Sequence, residues 1–142
     1  MSADEYRYRL SVQGTDFLFR EIAGLDVEFE VVRYRNGTDR TTRSVPGPPK
    51  PPSVSLRGGD PAGYQALATW AGLVTAGTPA QREAVVTLVD ESGPAPAAAV
   101  SWVIVDSFPS RLTSLVYDEA VGGPVIGELV LAGYAVVPRF GP

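Results

Sequence analysis

Leu25-Asp26-Val27-Glu28-Phe29-Glu30-Val31-Val32-Arg33-Tyr34-Arg35 carries the plainest structural signal in the chain. Leu25, Val27, Phe29 and Val31 alternate with Asp26, Glu28 and Glu30. Side chains two apart on a strand share a face, so this pattern predicts a strand with an apolar side and an acidic side. Beyond Val31 the pattern slips, because Val32 and Tyr34 fall on the polar side; a bulge or a change of environment there would account for it. Asn36-Gly37 then signals a turn.

Working outward, Tyr6–Val12 alternates in the same way, and Phe17–Ile22 predicts a short second strand before a turn at Gly24. Thr38–Pro52 contains Pro46, Pro48, Pro49, Pro51 and Pro52. Proline cannot donate to a sheet ladder, so this stretch is expected to run extended, partly as polyproline II, without regular structure. Ser53–Arg57 predicts a brief strand ending at Gly58-Gly59. Asp60 and Pro61 then suit the cap and first position of a helix. Tyr64, Leu67, Ala71 and Val74 mark its apolar face, Trp70 and Leu73 widen it, and Gly77 ends it. Ala84–Val89 and Ala98–Val105 are apolar on both sides and are expected to be central strands, joined by a turn at Glu91-Ser92-Gly93-Pro94. Leu112–Tyr117 and Val125–Val137 complete the set, with a turn at Gly122-Gly123. The expected fold is mainly β: an antiparallel sandwich or barrel of roughly seven to eight strands, one flanking helix and a long proline-rich loop. Residues 1–142 are read as one domain, with an extended arm at about 38–52.

Composition narrows the function. The chain has no cysteine and no histidine. Disulfides, thiolate nucleophiles and imidazole bases are therefore unavailable. Its single lysine, Lys50, sits among prolines, and no nucleophile elbow or phosphate loop is present. No cofactor or metal is expected, and no catalytic residue is assigned. A net charge of −4 disfavours sequence-specific nucleic acid binding. Polar residues at the start and the lack of a long apolar run lead to the expectation of a cytoplasmic chain without a membrane span.

Three groups stand out, each with two readings. Asp26, Glu28 and Glu30 form either a solvated outer face, eased by Arg7 and Arg9 on the first strand, or the charged wall of a pore built by several copies. Arg33, Arg35, Arg40, Arg43 and Lys50 belong either to a solvated loop or to an arm docking on a neighbour's acidic surface. Trp70 and Trp102 are either core or binding residues; both lie in apolar patterns, so they are expected in the core.

The ordered motifs resemble the contractile phage tail-tube family. Phe17-x-Phe19-x-Glu21-Ile22-x-Gly24-Leu25 leads through Glu28 and Glu30 to Tyr34-Arg35-Asn36-Gly37. Val45-Pro46-Gly47, Lys50 and Val54-x-Leu56-Arg57-Gly58 follow, then Trp70, Val86-x-Leu88-x-Asp90-Glu91-x-Gly93, Trp102, Phe108-Pro109-x-x-Leu112 and Glu128-Leu129-Val130-Leu131. The resemblance implies a non-enzymatic subunit of the inner tube of a contractile injection system or phage-tail-like particle. Such subunits close into hexameric rings that stack around a lumen, with strands joined from copy to copy. The implied partners are the chain itself, sheath and baseplate proteins, and cargo in the lumen. The implied location is the cytoplasm of the producing cell, then the assembled particle. Arg40, Arg43, Pro46, Gly47 and Lys50 would form an inter-ring arm. Asp26, Glu28 and Glu30 would form the lumen or a charged face. Gly24, Leu25, Tyr34, Gly37, Trp70 and Trp102 would be structural. A baseplate or tube-initiating paralogue is the alternative within the family, and a monomeric small-molecule-binding β-barrel the alternative outside it.

Overall fold

In the computed structural model, which describes residues 6–38, 40–89 and 100–140, two antiparallel sheets pack face to face. Strands β1 (Tyr8–Val12), β2 (Thr15–Phe19), β7 (Arg82–Leu88), the first half of β8 (Val100–Leu112) and β11 (Ala135–Phe140) make the first, in the order β2-β1-β7-β8-β11. Strands β3 (Glu21–Ala23), β6 (Ser53–Gly59), β10 (Gly123–Ala132), the second half of β8 and β9 (Leu115–Asp118) make the second. The sandwich expectation holds, and the barrel is not closed. A separate two-stranded ribbon, β4 (Phe29–Tyr34) and β5 (Arg43–Pro49), leaves the second sheet between β3 and β6.

Two bends turn the chain from one sheet to the other. Residues Val100–Val105 of β8 pair with β11, whereas Phe108–Leu112 pair with β10. Between them Asp106 has φ of 51°, a left-handed conformation that a short acidic side chain tolerates better than most. Ser107, fully buried beside it, donates its hydroxyl to the Arg82 carbonyl at 2.8 Å. On the opposite side Arg20 separates β2 from β3, its N–H bonded to the Arg57 carbonyl at 3.1 Å. These bends also explain the strand number. Phe17–Ile22 divides at Arg20, Leu112–Tyr117 divides so that β8 ends at Leu112, and Val125–Val137 divides at Gly133-Tyr134. Eleven strands result among the described residues. The turn expected at Glu91–Pro94 lies outside them.

The core is the shared interior of the sheets. Leu10, Phe19, Val54, Leu56, Val86, Ile104, Ile126, Leu129 and Leu131 are fully buried. They arise from period-two patterns, as in β6, where Val54 and Leu56 point inward while Ser55 and Arg57 do not. Helix α1 (Tyr64–Thr75) packs on β8 and adds Leu67 and Trp70 to the core. Asp60 accepts a bond from the Ala62 N–H at 3.0 Å and opens a short 3-10 turn, Pro61–Gly63, that feeds the helix. At its end Gly77, with φ of 74°, donates to Val74 and Thr78 donates to Leu73. This is the paired C-terminal cap that glycine favours. The Trp70 indole N–H reaches the Ala80 carbonyl at 2.7 Å, so its polar atom is satisfied inside the core. Trp102 is partly buried and packs against the same cluster.

Two expectations are corrected here. The stretch 38–52 is not wholly irregular, because Arg43–Pro49 is a strand. Its neighbour within the sheet is β4 alone, so it is an edge strand with a shifted register, the setting in which a sheet accepts proline. The apolar side of 25–35 is not buried either. Residues 24–28 are irregular, and every residue of β4 is exposed. The slip at Val31 does correspond to a register shift between Phe29 and Val31.

Gly24 holds the neck of this ribbon. Its φ is 94°, and a Cβ there would run into the Ser53 carbonyl oxygen. Gly24→Ala is expected to cost about 2–4 kcal/mol, from left-handed strain plus overlap with backbone that cannot step aside. Urea denaturation of the isolated chain checks it; an unchanged midpoint refutes the close approach.

Candidate assembly interface

The neck sets up the ribbon. β3 and β6 pair through Ile22 and Leu56, and half-buried Leu25 packs on the core. The Lys50 N–H donates to the Glu28 carbonyl at 2.9 Å, and the Lys50 ammonium lies 3.6 Å from the Glu28 carboxylate. An exposed pair at that distance contributes little, so Lys50 orients the root more than it stabilises it. Gly47 lets the strands close: a Cβ there would meet the Glu30 carbonyl oxygen at 3.1 Å and a Val32 methyl at 3.2 Å. At the tip Gly37 has φ of 40°.

What the ribbon displays is apolar on both sides. Phe29 is 52% exposed and Val31 58%, and Val32, Tyr34 and Val45 are exposed as well. Phe29 and Val31 share one side, Val32 and Tyr34 the other. A ribbon meant only for water would show polar residues on at least one side, so this pattern marks a contact surface. Its charges are segregated. Asp26, Glu28 and Glu30 lie at the root, while Arg33, Arg35, Arg40 and Arg43 are exposed toward the tip. The structure thus brings Arg40, Arg43, Pro46, Gly47 and Lys50 onto one projecting element, along with Tyr34 and Gly37. It does not bring Arg7 and Arg9 beside the acidic row, because β1 is flanked by β2 and β7.

A second exposed set was not singled out from the sequence. β9 pairs with β10 and shows Leu115, Val116 and Tyr117, the last 70% exposed. Together with the end of β8 it forms one open edge of the second sheet, and β3 forms the other. The sequence signal was the slip at Val32 and Tyr34 for the ribbon and the unbroken Leu115-Val116-Tyr117 run for β9, since both defeat one-sided burial.

On the outward face of the second sheet, Glu128 accepts a bond from the Ser55 hydroxyl at 2.7 Å and from Arg57 Nε at 3.3 Å, and Arg111 Nε lies 3.8 Å away. The Ser55 bond first, and then the two guanidiniums, hold its carboxyl below the usual carboxylate range despite partial desolvation.

Among the described residues no group of three or more acidic, histidine or cysteine side chains is placed to hold a metal. Among the described residues, the buried side chains named above pack into one core cluster between the sheets. Among the described residues no helix is long and apolar enough to cross a membrane. The described residues thus form a sandwich with two open edges and a projecting ribbon that is apolar on both sides. The chain belongs to the T4-like virus tail tube protein gp19 family, whose model matches residues 4–131.

Solved structures share the fold. A chain of the extended sheath–tube complex of an extracellular contractile injection system, PVC, superposes with a TM-score of 0.72 at 23% identity, covering 96% of this chain and 90% of that one. The tube-terminating cap of the anti-feeding prophage gives 0.71 at 24%, covering 99% and 93%. The PVC sheath/tube terminator gives 0.69 at 23%, covering 98% and 97%. No curated protein matches the chain by sequence.

Proposed function

We propose that this chain is the repeating subunit of the inner tube of a contractile injection system or phage-tail-like particle. Six copies close into a ring, and rings stack into a hollow conduit. The observation that carries this reading is the ribbon: an element apolar on both sides, tied to the core at its neck and bare along its length. An exposed apolar element of this kind is the usual mark of a surface that a partner covers. A second copy in the next ring is the partner proposed, with Arg33, Arg35, Arg40 and Arg43 reaching acidic groups there and Phe29, Val31, Val32, Tyr34 and Val45 supplying apolar area. Edge closure supports the ring. A head-to-tail contact needs two different edges on one subunit, and the second sheet has β9 at one side and β3 at the other.

On this reading the whole chain acts as one domain and its work is mechanical, with no catalytic step. Sheath proteins would surround the tube, a baseplate would seed it and cargo would travel inside. The chain would be made in the cytoplasm before joining the particle. Asp26, Glu28 and Glu30 belong to the root of the arm rather than to a lumen wall.

Electron microscopy of the concentrated protein tests the proposal. Stacked tubes built of rings near 90 kDa, six chains of 15.0 kDa, are expected. Single rings that bind a different protein and do not stack would turn the assignment to a tube-initiating or baseplate paralogue. Monomers that assemble neither alone nor with sheath and baseplate partners would overturn it.

A further inference from the structure

We infer that Glu128 keeps the outward face of the second sheet, which on the tube reading above lines the conduit, from holding polyanions by occupying Arg57 and Arg111; the inference rests on that reading. Register places the relevant residues in two rows across the strands. Glu21, Arg57 and Glu128 stand opposite one another in one row, and Ala23, Ser55, Val130 and Arg111 in the next. The charged residues of these rows are two carboxylates and two guanidiniums, so the face is balanced although the whole chain carries −4.

The second sheet is covered on its other side by the first sheet, so only this face is bare. If the ring closes through the edges of the second sheet, one layer must follow the smaller circumference. With the first sheet packed behind the second, that sheet takes the outer layer and the bare face turns inward.

Within the wall the arginines are the exposed partners. The side chains of Arg57 and Arg111 are 64% and 67% exposed, whereas Glu128 is 18% exposed between them. Glu128 holds Arg57 at 3.3 Å through one carboxylate oxygen and faces Arg111 at 3.8 Å through the other. Remove its charge and each subunit presents two forked donors, on the strands that flank β10 on either side. Arginine in that state binds phosphate. Six-fold repetition multiplies the effect, since phosphates held along one strand of nucleic acid act together.

The test compares tubes of wild type, Glu128→Gln and Glu83→Gln. Glu83 pairs with Arg139 at 3.1 Å on the first sheet, so its substitution changes net charge equally on a different face. The probe is a fluorescent single-stranded oligonucleotide, read by co-sedimentation at low salt. Glu128→Gln tubes should retain about tenfold more probe than wild type, the gain disappearing as salt rises, while Glu83→Gln stays near wild type. Images of the loaded Glu128→Gln tubes should place the added density on the axis. Equal retention by the two variants, no gain over wild type, or density on the outer surface would each overturn the inference. Should Glu128→Gln not assemble, anisotropy on the isolated chains decides, because the face is bare there too; a gain for Glu128→Gln alone is expected and its absence overturns the neutralising role. Failure of wild type to form tubes is a separate result and speaks against the tube reading itself.

Discussion

Excising residues 31–46 and joining Glu30 to Gly47 through an Asn-Gly turn should yield a chain that folds normally and no longer stacks. Val31 and Pro46 face each other across the ribbon, so the cut removes matched lengths of both strands. No described residue of the removed stretch belongs to the core, and β4 is exposed throughout. The neck, with Gly24, Leu25 and the bond from Lys50 to Glu28, stays in place. Stability should therefore change by less than about 1 kcal/mol, as for surface changes that bury nothing. Stacking, in contrast, loses its apolar contact area and its arginines at once. Denaturant unfolding measures the first part and electron microscopy the second. Tubes of normal length from the shortened chain would show that the ribbon is not the inter-ring element.

Phe19→Ala should be the most damaging single substitution of an aromatic residue, and Phe29→Ala should separate folding from assembly. Phe19 is fully buried, while Phe29 is 52% exposed. The Phe19 ring lies so close over Gly59 that a Cβ there would sit 2.6 Å from its Cε1. Cutting this ring away leaves a cavity beneath backbone that cannot collapse into it. A loss of about 3–5 kcal/mol follows, a large share of the roughly 5–15 kcal/mol that holds a domain folded. Phe29→Ala removes a ring that touches mostly water in the isolated chain, so its unfolding midpoint should stay within about 0.5 kcal/mol of wild type. Its tubes should be shorter or absent. Equal destabilisation by the two substitutions would contradict the placement of the ribbon outside the core.

Both phenylalanines sit in the same kind of sequence. Phe17-x-Phe19 and Val27-x-Phe29-x-Val31 alternate equally well, and the second pattern is the longer. One lines the core and the other faces water. The difference lies in what covers each strand, which no window along the chain reports. Pro46 and Pro49 mark a related limit. Proline excludes a central ladder position, but it does not exclude an edge strand paired on one side, and the register of β5 with β4 is a tertiary fact.

Local physics was legible in the residues themselves. Asp60-Pro61 opens the helix and Gly77 closes it, as their backbone preferences require, and Val54-x-Leu56 points inward as its alternation predicts. The mainly β sandwich followed from the number of period-two stretches, and the ordered motifs from Phe17 to Leu131 pointed to the tube family. The sequence by itself thus determined the mainly β class, the helix with its two ends and the resemblance to the family. Only the tertiary structure decided that Asp106 and Arg20 bend strands from one sheet into the other. It also decided that Glu128 stands between Arg57 and Arg111, residues 71 and 17 positions away along the chain. The physical reason is the same in each case. Alternation shows that the two sides of a strand differ, but burial and pairing are set by whichever distant segment arrives beside it, and for the ribbon that segment is proposed to come from another copy.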